Sequence, residues 1–295
     1  MKTTFQHFVP RFLLRHFAID GSKAGKEQIS VYDLAQGKIF PSNLDRIAGS
    51  KKFYDYLTRS GKVASIDPAL TNIEGLTAPA WRKLVEARDA RRLNIDERAA
   101  LALFVTTLSV RGPSTRAEIS AIPRLAIEEL RRRGEDTSLL EEWLRPEPGD
   151  DERIHVSTIE AIASVFSVVA TRTWKVYSPP PGSRFCTSDS PVVKYNDLDY
   201  GPRGKLGLLQ RGIVLQVALS PDALLLIADP EIYPIHEGTS EEYEPRNLLN
   251  YNHPLAHFAH RHLYSKALAD FHVEPGMWSE GPPIGIVRPP IGPAS

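Results

Sequence analysis

Apolar positions along the chain change period twice, and the changes divide it into three stretches. At the front, HFVPRFLLRHF places Val9, Phe12, Leu13 and Phe17 at helical spacing, with Pro10 suited to a first helical position where a missing N–H costs nothing. The spacing predicts a short helix over 10–17. QISVYDLAQGKIFP then alternates apolar and polar residues about Gln36-Gly37, which predicts a hairpin of two strands over 28–33 and 37–40. Residues 41–66, with a compact FYDYL cluster, read as loop holding at most one further strand.

From Asp67 the period becomes helical: Leu70, Ile73, Leu76, Trp81, Leu84 and Val85 recur at three- and four-residue steps. A second helix opens with Asn94 or Asp96 as its cap and runs through ALALFVTTLSV to the break at Gly112-Pro113. A third covers 114–133, where Pro123 should kink or divide it. The acidic, proline-bearing residues 134–153 read as a surface loop or mobile excursion. VSTIEAIASVFSVVAT is apolar nearly all round and reads as the central buried helix.

Beyond Arg172 the chain turns β-like, through WKVYS, RFCTS and PVVKY to GIVLQVALSP and DALLLIAD, the last two being neighbours joined at Ser220-Pro221-Asp222. A helical pattern returns over 241–268, interrupted by Pro254, and the Pro- and Gly-rich residues from Glu274 predict an extended or disordered end. No internal repeat is visible. These elements predict an α+β fold with a helical middle packed on an antiparallel sheet built from N- and C-terminal strands. Residues 1–272 would form one domain and 273–295 a tail.

Composition narrows the function classes. Lys plus Arg and Asp plus Glu both number 36, which removes the overall basic field of a dedicated nucleic-acid binder while leaving a local groove open. The single cysteine, Cys186, excludes an internal disulfide and every multi-cysteine metal site, and fits a reducing compartment; in its apolar strand it reads as a buried, inert thiol. MKTTFQHFVPRF lacks an apolar signal-like core and nowhere do about 18 apolar residues run together, so the expectation is a soluble, cytoplasmic protein without a membrane partner. Neither the phosphate-binding nor the dinucleotide-binding glycine fingerprint occurs, nor the Gly-x-Ser-x-Gly elbow.

Several pieces recur in a recognisable order: HFVPRFLLRHFA near the start, Glu74 in the helix after a loop, Arg111-Gly112-Pro113, the TSDSPV box at 187–192, and Asn247 and Asn250 before RHLYSK. As an ordered set reaching to about residue 268, they resemble the bacterial family catalogued as domain of unknown function 4238. The resemblance implies a coherent fold and a shortlist of polar positions, His7, Glu74, Arg111, Asp189, Asn247 and Asn250. It implies no reaction.

Each of these residues has a functional and a structural reading. His7 could exchange protons at neutral pH or ligate a metal, and could equally cap the helix that follows it. Asp189 and Ser188 sit at a strand end that could face a cleft, yet an Asp before Ser-Pro also folds readily into a self-satisfied turn. If Asp189 is buried instead, it needs a cation, a metal or several donors. Glu74 is either a rim residue or an acid held inside, and Arg111 either answers a helix C-terminus or clamps an anion bidentately. His253, His257, His260 and His262 form the densest histidine cluster, without the Glu a helical zinc motif would require.

If the shortlist converges, it suits a metal-assisted hydrolase acting on a phosphodiester, nuclease-like in character. His7, Glu74 and Asp189 would be catalytic, with Glu74 and Asp189 holding a divalent metal ion, and Arg111, Ser188, Asn247 and Asn250 would bind the substrate. The alternative is a non-catalytic module that binds a small anionic or nucleotide ligand. The expected partner is accordingly a nucleic acid or a nucleotide.

Overall fold

The structure, a computed structural model, describes residues 5–23, 25–145, 147–198, 200, 206–243, 245–267 and 270–271, with 245–250 and 253 described by backbone alone. The tail expected over 273–295 lies outside these residues. Eight α-helices and thirteen strands occur among the described residues, in an α+β arrangement with a helical middle.

The front of the chain supplies β1 (Phe5–His7), the short helix α1 (Arg11–Arg15), β2 (Gln28–Asp33) and β3 (Lys38–Asn43). The predicted hairpin is present, with Tyr32 opposite Ile39 and Asp33 opposite Lys38. The stretch expected to be mostly loop holds three short strands, β4 (Gly49–Lys51), β5 (Asp55–Leu57) and β6 (Val63–Ser65). β4 pairs with β1, and β5 pairs with β6. Strands this short carry too few residues to register an alternating pattern, so their partners define them. The β1–β4 pair approaches so closely that a Cβ at Gly49 would lie 2.6 Å from the Phe5 ring and 2.7 Å from the Gln6 carbonyl oxygen. Gly49→Ala should therefore cost about 1–3 kcal/mol, read as a lower urea midpoint. Gly75→Ala is the control, since nothing lies within 4 Å of a Cβ there. Its mid-helix position should make that change neutral or stabilising by up to about 1 kcal/mol.

The helical middle comprises α2 (Asp67–Ala87), α3 (Ile95–Leu108), α4 (Pro113–Arg132), α5 (Ser138–Trp143), α6 (Asp150–Ala163) and α7 (Phe166–Thr171). Asn94 caps α3 through a full capping box, its side chain accepting from Glu97 N while Glu97 accepts from Asn94 N. Three expectations need correcting. α4 runs through Pro123 undivided, because the loss of one hydrogen bond at a proline is absorbed by the turns on either side. The supposed surface loop contains α5, opened by Asp136 accepting from the backbone and hydroxyl of Ser138. The central buried helix is α3, with Leu101, Phe104, Val105 and Leu108 inside, while the 156–171 stretch breaks at Ser164-Val165 into α6 and α7.

The rear supplies β7 (Thr173–Ser178), β8 (Thr187–Ser188), β9 (Val193–Asn196), β10 (Ile213–Ser220), β11 (Ala223–Ala228), β12 (Glu241–Glu242), α8 (Pro245–Phe258) and β13 (His262–Ser265). One sheet has the order β12-β7-β11-β10-β9, antiparallel apart from the two-residue β12–β7 edge. Every residue of β10 and β11 is buried, as their nearly continuous apolar sequence requires. α2 leans on this sheet, where Trp81 Nε1 donates to the Leu219 carbonyl at 3.1 Å. The second sheet, β3-β2-β13-β8, joins amino-terminal and carboxy-terminal strands as anticipated. The helical reading of 241–268 holds only over α8, which passes through Pro254, whereas HLYS becomes β13 because it pairs with β2 on one side and β8 on the other. No helix among the described residues is long and apolar enough to cross a membrane.

Candidate functional site

Two of the shortlisted side chains, Glu74 and Arg111, meet beside the backbone of a third, His7. Arg111 follows α3 and is completely buried. Its Nε donates to the Phe8 carbonyl at 2.9 Å, and its Nη2 donates to the His7 carbonyl at 2.9 Å and to Glu74 Oε1 at 2.7 Å. Glu74 reaches it from α2 with a quarter of its side chain exposed. The Tyr54 hydroxyl donates to the Arg111 carbonyl at 3.2 Å, and burial pushes that phenol up to about 12. Burial opposes the charge on Arg111, but the Tyr54 oxygen and the Glu74 carboxylate outweigh it, so the guanidinium is held above its ordinary range. One buried donor, Arg111 Nη1, has no hydrogen-bond partner.

His7 lies half-buried at the edge of this group, its Nε2 3.2 Å from the Leu44 carbonyl oxygen. A carbonyl only accepts, so Nε2 carries the proton and Nδ1 keeps a lone pair. The helix-capping alternative is not what forms, since α1 has Pro10 at its N-cap and no side-chain cap. Burial holds the His7 ring below its usual pKa, with Arg11 adding to the shift, while the bond to Leu44 and the carboxylates of Asp45 and Glu74 oppose it. Arg11 pairs with Asp45 at 2.9 Å and leaves a buried Nε without a partner.

Other members of the cluster escaped the sequence reading. Asp67 precedes Glu74 by seven residues on α2, hence by two turns on one helical face, and that spacing was the available signal. Burial, then the neighbouring Glu74 carboxylate, holds the Asp67 carboxyl above its ordinary range, with Arg111 opposing. Gln6 ties in the β5–β6 hairpin, donating to Asp55 Oδ1 at 2.9 Å and Ser65 Oγ at 3.2 Å while accepting from Tyr54 N at 2.6 Å.

Asp189 has a different role from the one expected. Its buried carboxylate accepts three backbone N–H groups, from His260 at 2.7 Å, Arg261 at 2.8 Å and His262 at 2.9 Å. Burial pushes its carboxyl up, and those amides, led by that of His262, oppose the shift. Both oxygens thus hold the turn that leads into β13. Ser188, expected to bind substrate, is buried and accepts from Ser190 N at 3.0 Å, closing its own turn. The box does touch the Arg111 segment through backbone, since a Cβ at Gly112 would lie 3.1 Å from the Asp189 carbonyl oxygen. Among the described residues no group of three or more His, Cys, Asp or Glu side chains is arranged to hold a metal ion. The expected Glu74–Asp189 metal pair is corrected accordingly, because Glu74 faces Arg111 and Asp189 faces amides.

Asn247 and Asn250 fall on α8, but their side chains lie outside the described residues, as does that of His253. The remaining cluster histidines divide between α8, the following turn and β13, and two of them serve Asp189 through backbone amides. Cys186 is buried, its thiol pushed up to about 12 by burial, as an inert core cysteine would be.

No curated protein and no solved structure matches the chain. A family model described as protein of unknown function (DUF4238) matches residues 6–267, a span holding the His7–Glu74–Arg111 cluster and the Asp189 turn, and the chain belongs to that family.

Proposed function

We propose that the protein is a hydrolase acting on a phosphodiester, with its reaction centre at His7, Glu74, Asp67 and Arg111. The observation that carries this reading is the state of His7. With Nε2–H directed at Leu44 and the ring pKa lowered, Nδ1 is an unprotonated base at neutral pH, able to take a proton from water. Bonded to the His7 carbonyl, Arg111 brings a fixed positive charge whose field favours negative charge developing nearby. The raised Asp67 carboxyl, next to Glu74, is shifted in the direction that a general acid needs. Since Glu74 is ion-paired to Arg111, this reading assigns the barrier lowering to acid–base and electrostatic groups of the chain, not to a divalent ion on Glu74 and Asp189.

A second reading, a module that binds an anionic or nucleotide ligand without turnover, is favoured by one observation. Arg111 already donates to two backbone carbonyls and Glu74, which suits holding more than exchanging. One experiment separates the two: cleavage of single- and double-stranded RNA and DNA and of bis(p-nitrophenyl) phosphate, with chelator or with magnesium, alongside thermal shifts with nucleotides. The expected result is turnover in chelator that falls about 100-fold in His7→Gln with the fold intact. Stabilisation by nucleotides without cleavage would replace the hydrolase by the binding module, and strict magnesium dependence would restore the metal.

A further inference from the structure

A cleft of about 500 Å³ opens elsewhere, between the end of α7, the first residues of β7 and the segment that follows β11. It shares no residue with the His7 cluster, and its size falls within the range of small-molecule sites. Two arginines line it. Arg98, from α3, lies over the Trp174 ring at 4.7 Å. Its Nε donates to the Ala170 carbonyl at 2.7 Å, and its Nη2 donates to the Arg172 carbonyl at 2.7 Å and to Glu237 Oε1 at 2.6 Å. Those bonds fix the guanidinium plane and leave Nη1 uncommitted.

Arg172 is poorly provided for. It is 8 % exposed, yet its hydrogen bonds are long: 3.3 Å to the Ile213 carbonyl, 3.4 Å to that of Leu208 and 3.2 Å to that of Gln210. Its carboxylate neighbour, Asp229, stands 3.7 Å away, and its buried Nε has no partner. Burial accordingly pulls its pKa down against the pull of Asp229. A buried cation left in that state costs stability until an acceptor reaches it. The acceptors at hand are engaged: Glu237 takes Arg98 and the Trp174 amide at 3.1 Å, and Asp229 takes the amides of Glu231 at 3.0 Å and Gly212 at 3.3 Å. What the two guanidinium groups still lack, beside their carboxylate partners, is an acceptor for Arg172 Nε and for Arg98 Nη1. Opposite the arginines the wall is Pro230, Pro234, Ile235 and the Tyr233 ring, whose hydroxyl is tied to the Gly212 carbonyl at 3.0 Å.

We propose that this cleft binds a small organic anion, its carboxylate or phosphate group directed at Arg172 and Arg98 and a flat apolar body against Pro234, Ile235 and Tyr233. Carboxylate and phosphate share the required chemistry, bidentate acceptance from guanidinium. The test titrates benzoate, phenyl phosphate, inorganic phosphate and the uncharged benzyl alcohol into the full chain, followed by calorimetry and thermal shift. Saturable stabilisation by benzoate or phenyl phosphate is expected, stronger than that from inorganic phosphate and absent with benzyl alcohol, and the better head group identifies the anion. Ile235→Glu and His236→Glu place a negative charge on the wall and on the exposed rim without removing any hydrogen bond described above. Each should weaken binding by at least about tenfold through like-charge repulsion; the exposed His236→Glu should leave the ligand-free melting temperature in place, whereas Ile235→Glu should lower it, since Ile235 packs against Val214, Leu226 and Ala228. Arg172→Met is the complementary variant, expected to abolish binding with whatever stability remains. No saturable response to either organic anion, an equal response to benzyl alcohol, or unchanged affinity in Ile235→Glu would overturn the proposal.

Discussion

Asp189→Ala should lower the stability of the chain by about 3–5 kcal/mol, a large share of a typical folding free energy. The carboxylate is the common acceptor for the amides of His260, Arg261 and His262, all within 2.9 Å. Alanine strands three donors in part-buried bonds, and each donor fully stranded costs about 1–3 kcal/mol. Asp189→Asn should recover only part of the loss, since its amide nitrogen is a donor facing donors. Urea denaturation of both variants checks the ordering, wild type above Asn above Ala. A variant that kept wild-type stability while losing a measured activity would return Asp189 to the reaction centre.

Acidification from pH 7 to pH 4 should remove about 3 kcal/mol through His155 alone. This residue of α6 is completely buried, with Nε2 facing the Val110 carbonyl at 3.0 Å and Nδ1 accepting from Arg116 Nε at 3.2 Å. Both nitrogens are therefore committed in the neutral ring, and a second proton would have to displace the Arg116 bond. Burial, aided by the Arg116 charge, depresses the pKa from 6.5 to about 4. A depressed folded value means that the unfolded chain takes up the proton first, so the contribution is complete above pH 6.5 and is lost as pH falls through about 4. His7 and His16, also held low by burial, contribute with the same sign. His155→Gln isolates the effect, because the amide offers Val110 a donor and Arg116 an acceptor without titrating. Urea midpoints measured at pH 7, 5.5 and 4 should fall less steeply in the variant, and parallel slopes would refute the assignment.

Legibility of the fold followed the range of the forces involved. The 213–228 hairpin could be read because both strands are continuously apolar and a Ser-Pro-Asp turn separates them, and Asn94 because a cap with Glu three residues on is a local device. β13 could not, since nothing within HLYS distinguishes a strand from a helix turn. Its identity comes from pairing His262 with Asp33 and Leu263 with Ser188. The same holds at the candidate site. The types in the shortlist pointed toward convergence, and Glu74 and Arg111 do pair beside the His7 backbone, but the partner that would decide Asp189 lay some seventy positions away in backbone atoms, which carry no sequence signature. Asp67 was overlooked although its seven-residue interval from Glu74 was in plain sight.

The β3-β2-β13-β8 order also bears on biosynthesis. The amino-terminal ribbon, made early, keeps one flank of β2 unsatisfied until residue 265 has left the ribosome, because the strand that covers it lies far later in the chain. Nascent chains arrested before that point should present an open edge to chaperones, and completion of this sheet can then gate the yield of folded product.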